Sequence, residues 1–176
     1  MTKEQLNSLI DKMNNADNSS NNSISLKAHK QAEKLSTLSL VPLLKEFLQE
    51  KNKPKDKNIR NSAYFILGNM LKNNVDKESC AFFIQQLTVE KDKYVLSSIL
   101  DLLEKIDIPA DIDITPIILD TKSDKWLIRH SAISALGSCN TKESKEVLAF
   151  YLNQSDEKQY KYEIIYDNAV TLGSVN

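Results

Sequence analysis

A ten-residue segment occurs twice in this chain of 176 residues. Residues 59–68 read IRNSAYFILG, residues 128–137 read IRHSAISALG, and six of the ten positions are identical. The copies begin 69 residues apart, and a degraded copy, VLSSILDLLE at 95–104, lies between them. A weaker fourth copy is ISLKAHKQAEK at 24–34. An interval of about 35 residues indicates that the chain repeats one structural unit.

Each unit contains two segments with helical periodicity. Apolar residues follow i, i+3, i+4 spacing in the first segment (Leu40, Leu43, Leu44, Phe47, Leu48) and in the second (Ile59, Ala63, Ile66, Leu67, Met70). Pro42 and Pro116 stand in the first turn of the first helix, where a missing N–H costs little. Asp76 and Thr141 are predicted N-caps. With only three glycines and four prolines, the chain has too few turn residues for a β-rich protein of this size, which favours an all-α fold.

A helical pair of about 35 residues cannot bury its apolar face alone, so neighbouring pairs are expected to stack. The predicted architecture is an α-α superhelix, or solenoid, of about four stacked helical hairpins over residues 24–176. The small side chains of Ala63 and Ala132 would let neighbouring second helices approach closely. An N-terminal helix over residues 1–13 and a polar linker over residues 14–23 precede the repeats.

The N-terminal helix is predicted from a capping box formed by Thr2 and Gln5. It is interpreted as a cap that covers the first repeat. The alternative is a mobile arm.

The motif of a proline followed by apolar residues, and then Ile-Arg-x-Ser-Ala-x-x-x-Leu-Gly, resembles a HEAT or HEAT-like (PBS-lyase-type) repeat over residues 22–174. The resemblance implies that Arg60 and Arg129 are structural. It implies that such an arginine bonds to an acidic residue at the interhelical turn, here Asp56 or Asp124. It also implies that a partner binds along a concave face lined by the second helices.

Helical phase predicts which residues line that face. Positions about 160° to 200° from Ala63, at 100° per residue, point away from the core. The predicted partner-binding residues are Asn61, Phe65, Ser97, Asp101, His130, Ser134 and Tyr166. Phe65 is either a recognition anchor or a residue that packs against a neighbour. Tyr94, Trp126, Tyr160 and Tyr162 lie near the starts of second helices, where they either rim the same groove or close the edge of the core. For Trp126, closure of the core edge is the expectation.

The sequence contains no catalytic signature such as a phosphate-binding glycine loop, GxSxG or HExxH. His29 and His130 have no partner at metal-ligand spacing, so neither a metal nor a cofactor is indicated. Cys80 and Cys139 lie in apolar helical patterns and are expected to be buried free thiols. With no signal peptide and no apolar run of transmembrane length, the expected location is the cytoplasm, with no membrane contact.

These observations predict a non-enzymatic protein–protein interaction module: an adaptor, an assembly factor or an immunity-type protein whose partner protein the sequence does not identify. The alternative is a DNA-alkylation-repeat-like nucleic-acid-binding protein or glycosylase on the same scaffold. A net charge of −1, with Asp101 and Glu104 on the predicted face, argues against nucleic acid. A third option is a homodimer through the C-terminal repeat, since the end of a short solenoid can expose apolar surface. The richness in Asn and Lys suggests a bacterial origin.

Overall fold

The structure of the protein, a computed structural model, describes residues 1–16, 23–49 and 53–153. Within these ranges the chain contains no strand, and one isolated bridge joins Ile108 to Cys139. A short 3-10 helix over Leu38–Leu40 leads directly into α3. The all-α prediction is therefore confirmed for this part of the chain. The α-helices, in chain order, are α1 (Lys3–Met13), α2 (Ile24–Glu33), α3 (Val41–Leu48), α4 (Lys57–Asn73), α5 (Lys77–Val89), α6 (Lys93–Leu103), α7 (Thr115–Asp120), α8 (Trp126–Gly137) and α9 (Lys142–Asn153).

The local signals at the helix ends act as the sequence predicts. Thr2 and Gln5 form the capping box of α1, with each side chain bonded to the backbone N–H of the other residue. Asp76 caps α5 through a side-chain hydrogen bond to the backbone of the first turn. Pro42 and Pro116 stand in the first turns of α3 and α7. Each of these signals fixes where a helix begins before any tertiary contact is made.

The second helices of the repeats contact one another in succession, in the order α2, α4, α6 and α8. The hydroxyls of Ser97 and Ser131 lie 2.9 Å apart between α6 and α8. At the other end of the same pair, the Ser138 hydroxyl donates to the carbonyl of Glu104. Both contacts join residues 34 positions apart, so α6 and α8 run parallel and in register.

The contact between α4 and α6 depends on a residue without a side chain. A Cβ placed on Gly68 would lie 2.9 Å from the Cβ of Leu102, closer than real Cβ atoms approach. Gly68 therefore permits this helix crossing by its size, since its backbone is ordinary helix. Ala63 and Ala132 are also completely buried, as their small size predicts.

The first helices of the repeats pack against the second helices that follow them: α3 on α4, α5 on α6 and α7 on α8. Their apolar side chains join those of the second helices in one continuous cluster. Tyr64 of α4 and Phe83 of α5 are its largest fully buried residues, with ring centroids 6.2 Å apart. Cys80 and Cys139 are buried free thiols, as predicted.

Helix α1 packs against α2 and α4. One face of it is buried, through Leu6, Leu9, Ile10 and Met13. Beyond its last turn, the Asn14 side chain donates to the Ser62 hydroxyl at 3.0 Å. No described helix is both long and apolar enough to cross a membrane.

Candidate functional surfaces

The two repeated arginines make the same local contact. The Nη1 atom of Arg60 donates to the carbonyl of Pro54 at 3.0 Å, and Nη1 of Arg129 donates to the carbonyl of Ser123 at 2.8 Å. In each case the acceptor lies six residues earlier, in the turn before the second helix. The arginine therefore closes the interhelical turn, which is a structural role.

The acidic partner of Arg60 differs from the expectation. Asp56 caps α4, accepting from the backbone N–H of Asn58 at 2.7 Å. The guanidinium instead forms a two-pronged bond with Glu90, from Nε to Oε2 and from Nη2 to Oε1, both at 2.9 Å. Glu90 ends α5 in the following unit, so the contact links two repeats. Asp124, the acid expected beside Arg129, is exposed.

Glu90 is the centre of a buried polar cluster. Its side chain is 1% exposed and also lies 3.3 Å from the ammonium of Lys53. Burial opposes its ionisation, but hydrogen bonds from Arg60 and from the backbone N–H groups of Asp92 and Lys91 outweigh burial and lower its pKa to about 2. This cluster holds the segment before α4 against the junction of α5 and α6.

The predicted partner-binding residues divide into accessible and buried groups. Asp101 of α6 is exposed, while Asn61 of α4 and His130 of α8 are half-buried. Phe65 is also half-buried, but it packs against the core, and its ring meets that of His29 edge-on at 5.3 Å. We call Asn61, Phe65, Asp101 and His130 the ladder face.

Two predicted residues are not on an accessible surface. Ser97 is 5% exposed and lies between α6 and α8, bonded to Ser131. Ser134 of α8 is 9% exposed. The helical-wheel argument considered only the core side of each helix. A second helix also has a parallel neighbour on each flank, which narrows its accessible arc. Tyr166, together with residues 17–22 of the predicted linker and the C-terminal repeat after residue 153, lies outside the described residues.

A second surface was predicted only in part, through the aromatic residues near the starts of the second helices. Tyr94 and Trp126, in the first turns of α6 and α8, are 56% and 64% exposed. The expectation that Trp126 closes the edge of the core is therefore wrong. Trp126 is the first residue of α8, and its side chain lies beyond the buried layer. Three exposed lysines, Lys57, Lys93 and Lys125, stand at the same ends of α4, α6 and α8. We call these five residues the aromatic edge.

The aromatic edge had a signal in the sequence. The dipeptide Asp-Lys occurs at 56–57 and 92–93, across the starts of α4 and α6, and at 124–125, just before α8. It also occurs at 11–12 and at 76–77, so it is not confined to the second helices. Its aspartate is the N-cap of α4 and of α6. The ten-residue repeat begins after this dipeptide and does not include it, so this polar repetition was missed.

Burial raises the pKa of several other side chains among the described residues. Burial raises the pKa of the Cys80 thiol to about 11 and that of Cys139 to about 12. Burial also raises the pKa of Asp120 to about 6. Among the described residues, no group of three or more His, Cys, Asp or Glu side chains is placed to hold a metal ion.

No protein-family model, curated protein or solved structure matches the chain. The functional assignment therefore depends on these two surfaces and on the repeat itself.

Proposed function

We propose that this protein is a short HEAT-like solenoid that binds a partner protein along its second helices and catalyses no reaction. The observation that carries the proposal is the parallel packing of α6 against α8, in which both contacts join residues 34 apart. The contact of Gly68 with Leu102 between α4 and α6 has the same offset of 34. Repeats stacked in register create an extended surface to which each unit contributes equivalent positions.

The ladder face is the part of that surface suited to a protein partner. It combines a half-buried aromatic ring, an amide, an imidazole and a carboxylate from three successive second helices. Such a mixture of apolar and polar groups is typical of protein interfaces. A DNA-alkylation-repeat-like protein would need basic side chains to neutralise phosphates. At the C-terminal end of α6 the exposed residues are Asp101, Glu104 and Lys105, two acids and one base.

A charge reversal on the ladder face tests the proposal. Asp101→Lys should remove the partner from a tagged-protein capture experiment in lysate of the source cells, quantified by mass spectrometry. Asp11→Lys is the matched control, because Asp11 is an equally exposed helical acid on α1. Phe65 is left unchanged, since truncating it would also remove packing against the core.

The outcomes separate three cases. A protein retained by the wild type and by Asp11→Lys but lost by Asp101→Lys supports the proposal. Equal retention by all three forms refutes the ladder face as the binding surface. Capture of no protein by any form, at micromolar bait concentration, contradicts the interaction function itself.

A further inference from the structure

The aromatic edge exposes two large rings beside the ammonium groups of exposed lysines. Two ammonium groups approach the ring of Tyr94, with Nζ of Lys57 5.4 Å and Nζ of Lys93 4.9 Å from its centroid. Both distances are within the range of a cation–π contact. The ring is nevertheless 56% exposed. An accessible ring of this kind can bind a further group on its free side.

The helix register places the members of the edge at one end of the stack. Because residues 34 apart are neighbours between α6 and α8, Trp126 is level with residue 92, two positions before Tyr94. The same argument applies between α4 and α6, where the ammonium of Lys57 approaches the Asp92 carboxylate at 3.8 Å. The edge is therefore a continuous strip that crosses the beginnings of α4, α6 and α8.

The charges of this strip alternate in sign. Each lysine follows an aspartate in the sequence. Asp56 and Asp92 use a carboxylate oxygen to cap their helices, at 2.7 Å and 2.9 Å from a backbone nitrogen. A nucleic-acid strand with a phosphate at every nucleotide would meet these aspartates as well as the lysines. A ligand whose negative charges are spaced apart fits the strip better.

We propose that the aromatic edge binds an extended acidic segment of the partner protein, with a carboxylate at every third residue and proline or aliphatic side chains between. The proposal rests on the proposed function, because it assumes a protein partner. Neighbouring packed helices lie about 8–10 Å apart. A polyproline II segment has three residues per turn and advances about 3.1 Å per residue, which places every third side chain on one face at about 9 Å intervals. Carboxylates with that spacing would meet Lys57, Lys93 and Lys125 in turn.

The intervening residues would contact the two rings. Proline and aliphatic side chains pack on aromatic faces in known polyproline recognition. Tyr94 and Trp126 supply such faces on adjacent helices. The lysines would then fix the register of the segment, while the rings supply apolar contact area.

The protein carries its own reporter for this test. Trp126 is the single tryptophan of the chain, so its emission reports directly on the aromatic edge. The probe is a peptide of four Glu-Pro-Leu repeats, which has no fluorescent ring. The matched control peptide has the same composition with its four glutamates in one block. A twelve-residue oligothymidylate tests for single-stranded nucleic acid.

Two variants accompany the wild type. Lys57→Glu/Lys93→Glu reverses two charges of the edge, and we expect it to bind the repeating peptide at least about tenfold more weakly. Lys27→Glu/Lys30→Glu makes the same charge change at exposed positions of α2 and should bind as the wild type does. Circular dichroism of each variant checks that the fold is retained.

The proposal is supported if the repeating peptide shifts the Trp126 emission and if salt weakens this binding. The blocked peptide should then bind at least about tenfold more weakly. Equal binding of the two peptides, unchanged binding by Lys57→Glu/Lys93→Glu, tighter binding of the oligothymidylate, or no emission change at millimolar peptide would each overturn it. Asp101→Lys should bind the repeating peptide normally. If the peptide fails while Asp101→Lys still loses the captured partner, the proposed function stands and only the edge is refuted.

Discussion

The substitution Glu90→Gln removes the central charge of the cluster that joins two repeats. Glu90 accepts both prongs of the Arg60 guanidinium at 2.9 Å and is almost completely buried. Glutamine keeps the volume of the Glu90 side chain but not its charge. The guanidinium of Arg60 therefore loses its counter-ion, although the Arg60 side chain is only 11% exposed. Removing one partner of a buried ion pair is costly because the other charge remains desolvated.

The magnitude follows from two independent arguments. Breaking a buried pair typically costs about 3–5 kcal/mol. The lowering of the Glu90 pKa from 4.5 to about 2 corresponds to about 3 kcal/mol of folding free energy. Because the folded-state pKa is the lower one, this contribution is complete above pH 4.5 and is lost as the pH falls toward 2. We therefore expect Glu90→Gln to lower the free energy of unfolding by about 3 kcal/mol at pH 7.

Urea denaturation followed by far-ultraviolet circular dichroism measures this change at a series of pH values. Between pH 5 and pH 3, the wild type should lose stability more steeply than Glu90→Gln. Glu78→Gln is the matched control, because Glu78 pairs with Lys45 at 3.0 Å but its side chain is 89% exposed. An exposed pair contributes at most about 1 kcal/mol. If Glu90→Gln costs no more than Glu78→Gln, or if the two pH profiles are parallel, the reasoning about the buried cluster is wrong.

Two further predictions concern packing and thiol chemistry. Gly68→Ala should lower the free energy of unfolding by about 1–2 kcal/mol, since the new Cβ meets a side-chain Cβ on α6 that cannot move without its backbone; a raised melting temperature would contradict this. Cys80 and Cys139, which are buried with raised thiol pKa values, should react with an aromatic disulfide reagent at pH 8 only as fast as the protein opens, and at full speed in urea. Native-state reaction at the rate of a free thiol, measured by absorbance, would show that these sites are accessible.

The parts of the fold that the sequence predicts are those written within one unit. The capping box of Thr2 and Gln5 and the early prolines act over a single helical turn, so their residue types are sufficient to locate the helix starts. The bonds of Arg60 and Arg129 to a carbonyl six residues earlier are also local. A repeated residue with a local partner makes a repeated contact, which agrees with the structural role that the resemblance implies for these arginines.

The parts that were missed depend on contacts between units. Glu90, the partner of Arg60, lies 30 residues further along the chain, and no repeat of its own marks it. Ser97 looked accessible on a single helical wheel, but its neighbour Ser131 belongs to the next second helix, 34 residues away. A wheel distinguishes the core side of one helix from the opposite side. It contains no information about which flank a parallel neighbour covers.

The same reasoning explains why the accessible residues of the aromatic edge are easier to predict than those of the ladder face. The ends of a helix project beyond the contacts that its flanks make with parallel neighbours. First-turn residues that point away from the core, such as Tyr94 and Trp126, therefore remain accessible, whereas Val95 and Ile128 of the same turns are buried. The dipeptide Asp-Lys recurs at the starts of α4, α6 and α8, but it also occurs at the start of α5 and within α1, so the sequence only suggests this exposed row. In a stack of helices, polar residues near the helix ends are the better indication of accessible surface. Small and apolar residues repeated within the helices are the better indication of packing.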